Sequence, residues 1–327
     1  MFVVRTAVFV LHLTVLLLVL GVKLNAYIPP KWLGVVNLLS LAFPILVVLH
    51  FVFTVFWLIY FRKRSILFLL SWYFLLAPIQ GWINYHSPRD ETADFKVLSY
   101  NTKGVSEEKA RFLNHQNADI LMLQESGWGE RKKMNIPNYQ YRVNSEVVSI
   151  YSKFPIIRQE KIVLPKNGYA LYADIQIRGK NIRFMNIYLE PFRLDKAMVK
   201  PSMNQEINEM KAKSLLSRLM PVFKIHQNQI EEIKTFIENS PYPVVLAGDL
   251  NAVPNSYEYF QFTDLLTDVF AKVGNGSGTS FHDYKFPIRI DYIFASPSLK
   301  PTSYSVNREV DFSDHFPIDA EFSISEE

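Results

Sequence analysis

Long apolar runs separated by short polar breaks fill the first 86 residues, and nothing like them recurs afterwards. Thr6–Val22 is apolar apart from His12 and Thr14, Trp32–Phe61 extends for 30 residues interrupted by Pro44 and His50, and Ser65–Ile83 is a third run. Each approaches or exceeds the roughly 20 residues that cross a bilayer, whereas a hairpin of two spans within the second run would need about 40. Amphipathic helices of soluble proteins carry a polar face, and these runs carry none. Three transmembrane helices are therefore expected, at about 6–22, 32–61 and 65–83, in a membrane anchor of residues 1–86.

The polar stretch His86–Asp94, with Pro88, closes the anchor and sets a linker at 87–94 before a domain of 95–327. In that domain the period shortens. Strands are expected at Phe95–Tyr100, Ile120–Gln124, Val147–Tyr151, Leu171–Ile177 and Ile182–Leu189, with a helix at Glu107–Asn117. Gln205–Asn239 reads as helical and divided in two by Pro221. Short strands follow at Pro243–Ala247, Ile290–Ala295, Tyr304–Val306 and Ile318–Phe322. Most strands follow one another without a helix between them, which points to two packed sheets of antiparallel or mixed pairing with helices outside.

Charge divides the chain at the same place. Residues 1–86 hold no Asp or Glu and six basic residues (Arg5, Lys23, Lys31, Arg62, Lys63, Arg64), so of 35 basic residues 29 remain against 31 acids, a charge near −2 for the rest. The basic footprint of a protein that lives on nucleic acid is missing from the domain as a whole. The Arg62-Lys63-Arg64 cluster and Arg5 belong in the cytoplasm, which places the domain on the outer side of a plasma or inner membrane. Span one could instead be a cleaved signal peptide without altering that orientation. Cysteine is absent, which excludes disulfides and thiolate metal sites.

Chemistry gathers at strand ends. Val244–Ala247 runs into Gly248-Asp249-Leu250-Asn251, a carboxylate and an amide two residues apart, though Gly-Asp and Asn also favour plain turns. Ile120–Gln124 ends in Glu125, and Asp291 interrupts Ile290–Phe294; a carboxylate in such a place is costly unless paired or bound to a cation. Asp314-His315 precedes the last strand and suits proton transfer or charge stabilisation near neutral pH. Asn101 ends the first strand and offers an amide to a phosphate oxygen.

The ordered set Asn101, Glu125, Asp249-x-Asn251, Asp291-Tyr292 and Ser313-Asp314-His315 resembles the endonuclease/exonuclease/phosphatase superfamily, over about residues 94–324. That superfamily includes pancreatic-type deoxyribonucleases, abasic-site endonucleases, neutral sphingomyelinases and inositol polyphosphate 5-phosphatases. The resemblance implies an α/β four-layered sandwich, two central mixed sheets flanked by helices, with a metal site at one end. It implies Glu125 as principal Mg²⁺ (or Mn²⁺) ligand with Asp314 beside it, and Asn101 and Asn251 on the phosphate. Asp249 would orient or deprotonate water, and His315, held by Asp291, would act as base or transition-state stabiliser. Hard oxygen ligands suit such ions, and a Lewis acid with aimed donors suits phosphoester hydrolysis.

Two positions depart from the commoner pattern. Tyr188 stands where many members have His, as it does in abasic-site endonucleases, and can donate a hydrogen bond to the leaving or bridging oxygen. Lys103 replaces a second metal-binding Asp, which favours one ion over two. The insert Glu190–Asn239 is rich in Lys and Arg and either lies against headgroups or covers a sheet with Leu215, Leu216, Leu219, Ile230 and Ile233 inward.

The expectation is a membrane-anchored, metal-dependent phosphoesterase. Its substrate would be a nucleic acid or a lipid or sugar phosphate, its other partner the bilayer, and no protein partner is implied. A receptor that binds phosphate ligands without turnover is the alternative, and it sits poorly with a full set of site residues. A transporter is disfavoured because the runs hold no Asp, Glu, Lys or Arg.

Overall fold

A computed structural model describes residues 2–87, 92–127, 134–283 and 288–324, so residues 88–91 of the expected 87–94 linker lie outside the described residues. Two six-stranded sheets form its centre. In the first the order is Leu299–Val306, Ile318–Ile324, Phe95–Asn101, Ile120–Gln124, Ser149–Ser152, Tyr141–Asn144; in the second it is Thr267–Asp268, Asp291–Ala295, Val244–Asp249, Lys180–Tyr188, Tyr169–Ile177, Ile156–Ile162.

Alternation along each strand builds the layers. Val97, Ile120 and Met122 of the first sheet meet Leu171, Phe184, Val245 and Ile293 of the second in one core between the sheets. Leu98, Leu121 and Leu123 face the other way, onto Ala110 and Leu113 of the helix Glu107–Asn114. Met185, Leu246 and Phe294 pack on Ile230, Ile233 and Phe262 of the helices Gln205–Glu238 and Tyr257–Thr263. The result is the expected four layers, helix, sheet, sheet, helix.

One strand pair in each sheet is parallel: Phe95–Asn101 with Ile120–Gln124, and Lys180–Tyr188 with Val244–Asp249. A parallel pair needs a crossover, and the helices Glu107–Asn114 and Gln205–Glu238 supply the two. The neighbours Ile318–Ile324 and Asp291–Ala295 are antiparallel to these pairs. Antiparallel strands begin where their partners end, so two strand ends and one strand start in each sheet collect chain segments at a common edge.

Some elements differ from expectation. The long helix is continuous through Pro221. A proline inside a helix costs about 3 kcal/mol, and here the buried flanking residues Leu219 and Phe223 hold the helix together. Its N-terminal half stands clear of the sheet, which leaves Leu216 exposed rather than inward. The strands Tyr141–Asn144 and Ile156–Ile162 lie outside the expected set; both are polar edge strands whose apolar alternation is weak.

The N-terminal segment forms the helices Phe2–Gly21, Leu38–Tyr60 and Arg62–Gln80, packed through Val19, Phe43, Trp57, Phe68 and Leu75. Two stretches, Val3–Ala26 and Pro30–Tyr60, are long and apolar enough to cross a membrane. The third helix is not, because its first turn is the Arg62-Lys63-Arg64 cluster, and the remainder of the helix falls short of about 20 apolar residues. The expected three spans thus become two by this measure.

One end of the helical segment docks on the sandwich. Asn25 Nδ2 donates to the Asn255 carbonyl (2.9 Å), Asn37 Nδ2 to Glu258 Oε2 (2.8 Å), and Asn255 Nδ2 to the Pro78 carbonyl (3.0 Å). Arg289 Nη1 donates to the Gly81 carbonyl (2.9 Å), and Ile83–Asn84 pairs with Gly276–Ser277. Arg5 lies over Phe61 and Arg64 over Phe9 and Trp57, which puts the basic cluster at the opposite end.

Candidate active site

The common edge of the two sheets carries the polar residues. In the second sheet Asp249 is in register with Tyr188 on one side and Asp291 on the other, so three polar side chains stand in a row on one face. In the first sheet Asn101 is in register with Gln124, Glu125 follows at once, and Asp314 and His315 arrive just before Ile318–Ile324. The strand ends of the second sheet rest on Gly248, whose φ is +148°; a Cβ there would lie 1.9 Å from the Ile187 carbonyl oxygen. Lys103, Glu125 and Asn251 adopt φ of 46°, 50° and 48°. Non-glycine residues rarely enter this left-handed region, and such positions gather at functional sites.

Hydrogen bonds join the row to the first sheet. Asn101 Nδ2 donates to Asp249 Oδ2 (3.0 Å) and Glu125 Oε1 (3.2 Å), so one amide braces two carboxylates. Tyr188 Oη donates to the same Glu125 oxygen (3.1 Å). The Asn251 backbone N–H donates to Asp249 Oδ1 (2.8 Å), and its Nδ2 donates to the Leu189 carbonyl (3.0 Å). His315 Nδ1 lies 2.8 Å from Asp291 Oδ2, and its Nε2 lies 3.8 Å from Asp249 Oδ2, too far for a hydrogen bond. Lys103 Nζ pairs with Asp314 Oδ2 at 2.5 Å.

Burial and charge set the protonation states. Burial, and then Asp291 beside it, push the Asp249 carboxyl up to about 7. Burial alone would depress the His315 imidazole, but its pairing with Asp291, helped by Asp249 and Asp314, raises it to about 9. Asp314 falls below the ordinary range: burial opposes this, and the bond from Lys103 outweighs it. Tyr188 is raised by burial and then by Glu125 and Asp249, so its hydroxyl stays a neutral donor.

All eight expected residues, Asn101, Glu125, Tyr188, Asp249, Asn251, Asp291, Asp314 and His315, thus fall in one connected cluster. Their grouping differs in detail from the expectation. Asp249, Asp291 and His315 present ligand atoms within 4.8 Å of one another, while of the expected metal pair Asp314 is held by Lys103 and Glu125 by Asn101 and Tyr188. Three supporting residues lie outside the expected set. Ser313 Oγ donates to the Asn101 carbonyl (2.8 Å), Ser280 Oγ accepts from the Asp291 backbone N–H (3.0 Å), and Phe281 sets its ring edge-on to His315 at 4.9 Å. Ser313 sits inside the Ser-Asp-His motif and is visible there; Ser280 and Phe281 come from a distant loop and carry no signal in sequence.

The donor set fits a divalent cation. Four carboxylates, Glu125, Asp249, Asp291 and Asp314, face two basic groups, Lys103 and His315, which leaves an excess of two negative charges when all are ionised. Asp291 Oδ1 is buried with no hydrogen-bond partner among the described residues. Oxygen donors with a single imidazole suit a hard divalent ion rather than a soft one.

The profile of the Endonuclease/Exonuclease/phosphatase family matches residues 98–315, and that of a domain of unknown function matches residues 5–82. No curated protein matches the chain. Among solved structures, an endonuclease/exonuclease/phosphatase family protein from Bacteroides thetaiotaomicron is 17% identical with a TM-score of 0.51, over 71% of this chain and 95% of the other. A humanized D. rerio TDP2 is 16% identical (TM-score 0.52; 70% and 98% covered). The mannosyl-6-phosphatase Bt3783 of B. thetaiotaomicron is 18% identical (TM-score 0.50; 70% and 100% covered). At these identities the likeness is one of fold.

Proposed function

The chain belongs to the Endonuclease/Exonuclease/phosphatase family, whose members hydrolyse phosphoester bonds, and from that premise we propose a membrane-anchored, divalent-metal-assisted phosphoesterase acting on the outer side of the membrane. The observation that carries this reading is the convergence of both sheets on one cluster, in which Asn101 bridges Asp249 (3.0 Å) and Glu125 (3.2 Å) and Asp291 holds His315 (2.8 Å).

In this reading Asp249 accepts the proton of the attacking water, since its carboxyl titrates near the working pH. His315, protonated and oriented by Asp291, donates Nε2–H to the phosphoryl oxygens as negative charge develops on them. Asn251 Nδ2 has one N–H beyond its bond to Leu189 and presents it to the phosphate, while Asn101 keeps Glu125 and Asp249 in place. Tyr188 orients Glu125 and remains a neutral donor. Glu125, with Asp314 once released from Lys103, would hold one Mg²⁺ or Mn²⁺, which leaves Asp249 to the water and Asp291 to His315; when bound, the ion supplies Lewis-acid polarisation of the phosphoryl group.

The N-terminal helices support anchoring: they bury only 28% and 22% of their most apolar windows, and residues such as Leu17, Val48 and Leu70 face outward uncovered. Residues 1–86 would be the anchor and 95–327 the catalytic domain. Arg5 and Arg62-Lys63-Arg64 lie at the end away from the sandwich, and the helix Arg62–Gln80 returns from that end to Pro78 at the sandwich, so a basic cluster kept in the cytoplasm favours an outer position for the site. Asn251 and Asn255 are four residues apart, at most about 14 Å of chain, and Asn255 is bonded to the anchor at Pro78 and Asn25. A site so near the bilayer, in a domain without a basic surplus, favours a phosphoester held at the membrane over duplex nucleic acid.

The test is hydrolysis by the full-length protein in detergent micelles, with Mg²⁺ or EDTA, of bis(4-nitrophenyl) phosphate, plasmid DNA and mixed phospholipid vesicles. Turnover that disappears with chelator and returns with Mg²⁺ is expected. Turnover indifferent to chelator, or none of any substrate by folded metal-loaded protein, overturns the reading; efficient plasmid cleavage overturns the preference for membrane substrates.

A further inference from the structure

A chain of buried polar contacts runs from the membrane anchor to the active-site strand ends. Asn37, just before the helix Leu38–Tyr60, donates through Nδ2 to Glu258 Oε2 (2.8 Å) and accepts through Oδ1 from the Tyr257 backbone N–H (2.8 Å). Glu258 Oε1 lies 2.8 Å from His226 Nδ1, and both side chains are 0% exposed. His226 Nε2 lies 2.7 Å from the Glu190 carbonyl oxygen. A carbonyl only accepts, so Nε2 carries a hydrogen, and Nδ1 then shares a proton with Glu258.

Glu190 is the second residue after Tyr188, and its backbone N–H is held by Gln229 Oε1 (3.0 Å). Between them, Leu189 donates its N–H to the Asp249 carbonyl (3.0 Å) and accepts from Asn251 Nδ2 (3.0 Å). The backbone that Leu189 uses to fix Asp249 and Asn251 is thus itself fixed by His226, Glu258 and the anchor's Asn37. Two shorter links run in parallel. Asn255, four residues past Asn251, is bonded to Asn25 and Pro78. Arg289, two residues before Asp291, is bonded to Gly81 and, bidentately, to Asp268. Each catalytic strand end of the second sheet is tied to the helical segment.

A simple tether asks for none of this. A buried carboxylate and imidazole are expensive to place in a core, and an apolar pair would join two segments at lower cost. What hydrogen bonds add is direction, and misplacement of a reacting group by about 1 Å costs on the order of 100-fold in rate. We propose that the anchor is a structural part of the active site, with Asn37, Glu258 and His226 as positioning residues for Tyr188, Asp249 and Asn251. The proposal rests on the hydrolytic reading of that cluster, and its test has one arm that does not.

Asn37→Ala, Glu258→Gln and the double variant are made in the full-length protein in micelles. With bis(4-nitrophenyl) phosphate and Mg²⁺, each single variant is expected to lower kcat about tenfold with KM within twofold of wild type. The double variant is expected to be no worse than Glu258→Gln, as for members of one network. Hydrogen exchange is the second arm and needs no turnover: Asn37→Ala should speed exchange in peptides covering 186–191 and 249–252 and leave 120–124 unchanged. Wild-type kcat in the variants, losses that add, or faster exchange confined to 34–40 and 255–260 overturns the proposal. A wild-type protein that hydrolyses nothing defeats the hydrolytic reading instead, and exchange still decides whether the anchor orders the strand ends.

Discussion

At the scale of single residues, the site separates two protonation events. In the proposed mechanism Asp249 would work as a base only once it has lost its proton, around pH 7, and His315 would donate only until it loses its own, around pH 9. Hydrolysis should therefore rise through the first value and fall through the second, with the acid limb moving lower when a cation bound nearby favours the ionised Asp249 carboxylate. A pH–rate profile checks this, and a rate still climbing above pH 10 would contradict the role of His315. Asp249→Asn and His315→Ala should each lower kcat by about 10²–10⁴-fold with the circular dichroism spectrum unchanged. Lys103→Ala frees Asp314 and should tighten Mg²⁺ binding, read by isothermal titration; weaker binding would mean that the lysine supports the ion site rather than competing with it.

Elements were legible in the sequence to different degrees, and the differences have physical causes. Ile120–Gln124 could be read to the residue because five apolar or amide side chains are buried on both faces between turn signals. The edge strand Ile156–Ile162 could not, since only its ends approach the core and the middle is exposed and charged. Pro221 misled because a local penalty was outweighed by packing at Leu219 and Phe223, which no local pattern displays. Members of the candidate cluster were legible wherever a carboxylate or amide closed an apolar run, as at Glu125 and Asp249; Ser280, which holds Asp291 from a remote loop, was not. Gly248 combines both kinds of information, a glycine that reads as a turn signal in sequence and a close approach to Ile187 in space. Gly248→Ala should destabilise the fold by about 2–4 kcal/mol, seen as a lower melting temperature. Glu258 offers a pH test of the contact with the helical segment. Burial would raise its carboxyl, but His226 and Asn37 hold it below the ordinary value, so its stabilising contribution is full above about pH 4.3 and is lost as pH falls through the folded value. Melting temperature should drop in that acid window for wild type and less so for Glu258→Gln.

For the whole molecule, two dissimilar halves meet at one face. The cysteine-free chain makes orientation simple to test: Lys161→Cys, on an exposed strand, should react with a membrane-impermeant maleimide in intact cells, and Lys63→Cys only after permeabilisation. The reverse pattern would put the site in the cytoplasm. The site also belongs to neither sheet alone. Asn101, Glu125 and His315 come from the first and Tyr188, Asp249 and Asp291 from the second, so the bonds from Asn101 to Asp249 and from Tyr188 to Glu125 cross the interface between them. Such an arrangement works as a vernier, in which a slide of one sheet over the other by a fraction of a side chain breaks the alignment while every strand keeps its own hydrogen bonds. On heating, catalysis should therefore fade several degrees before the far-ultraviolet signal of the sheets does, and agents that loosen the inter-sheet core should inactivate the protein while it still looks folded.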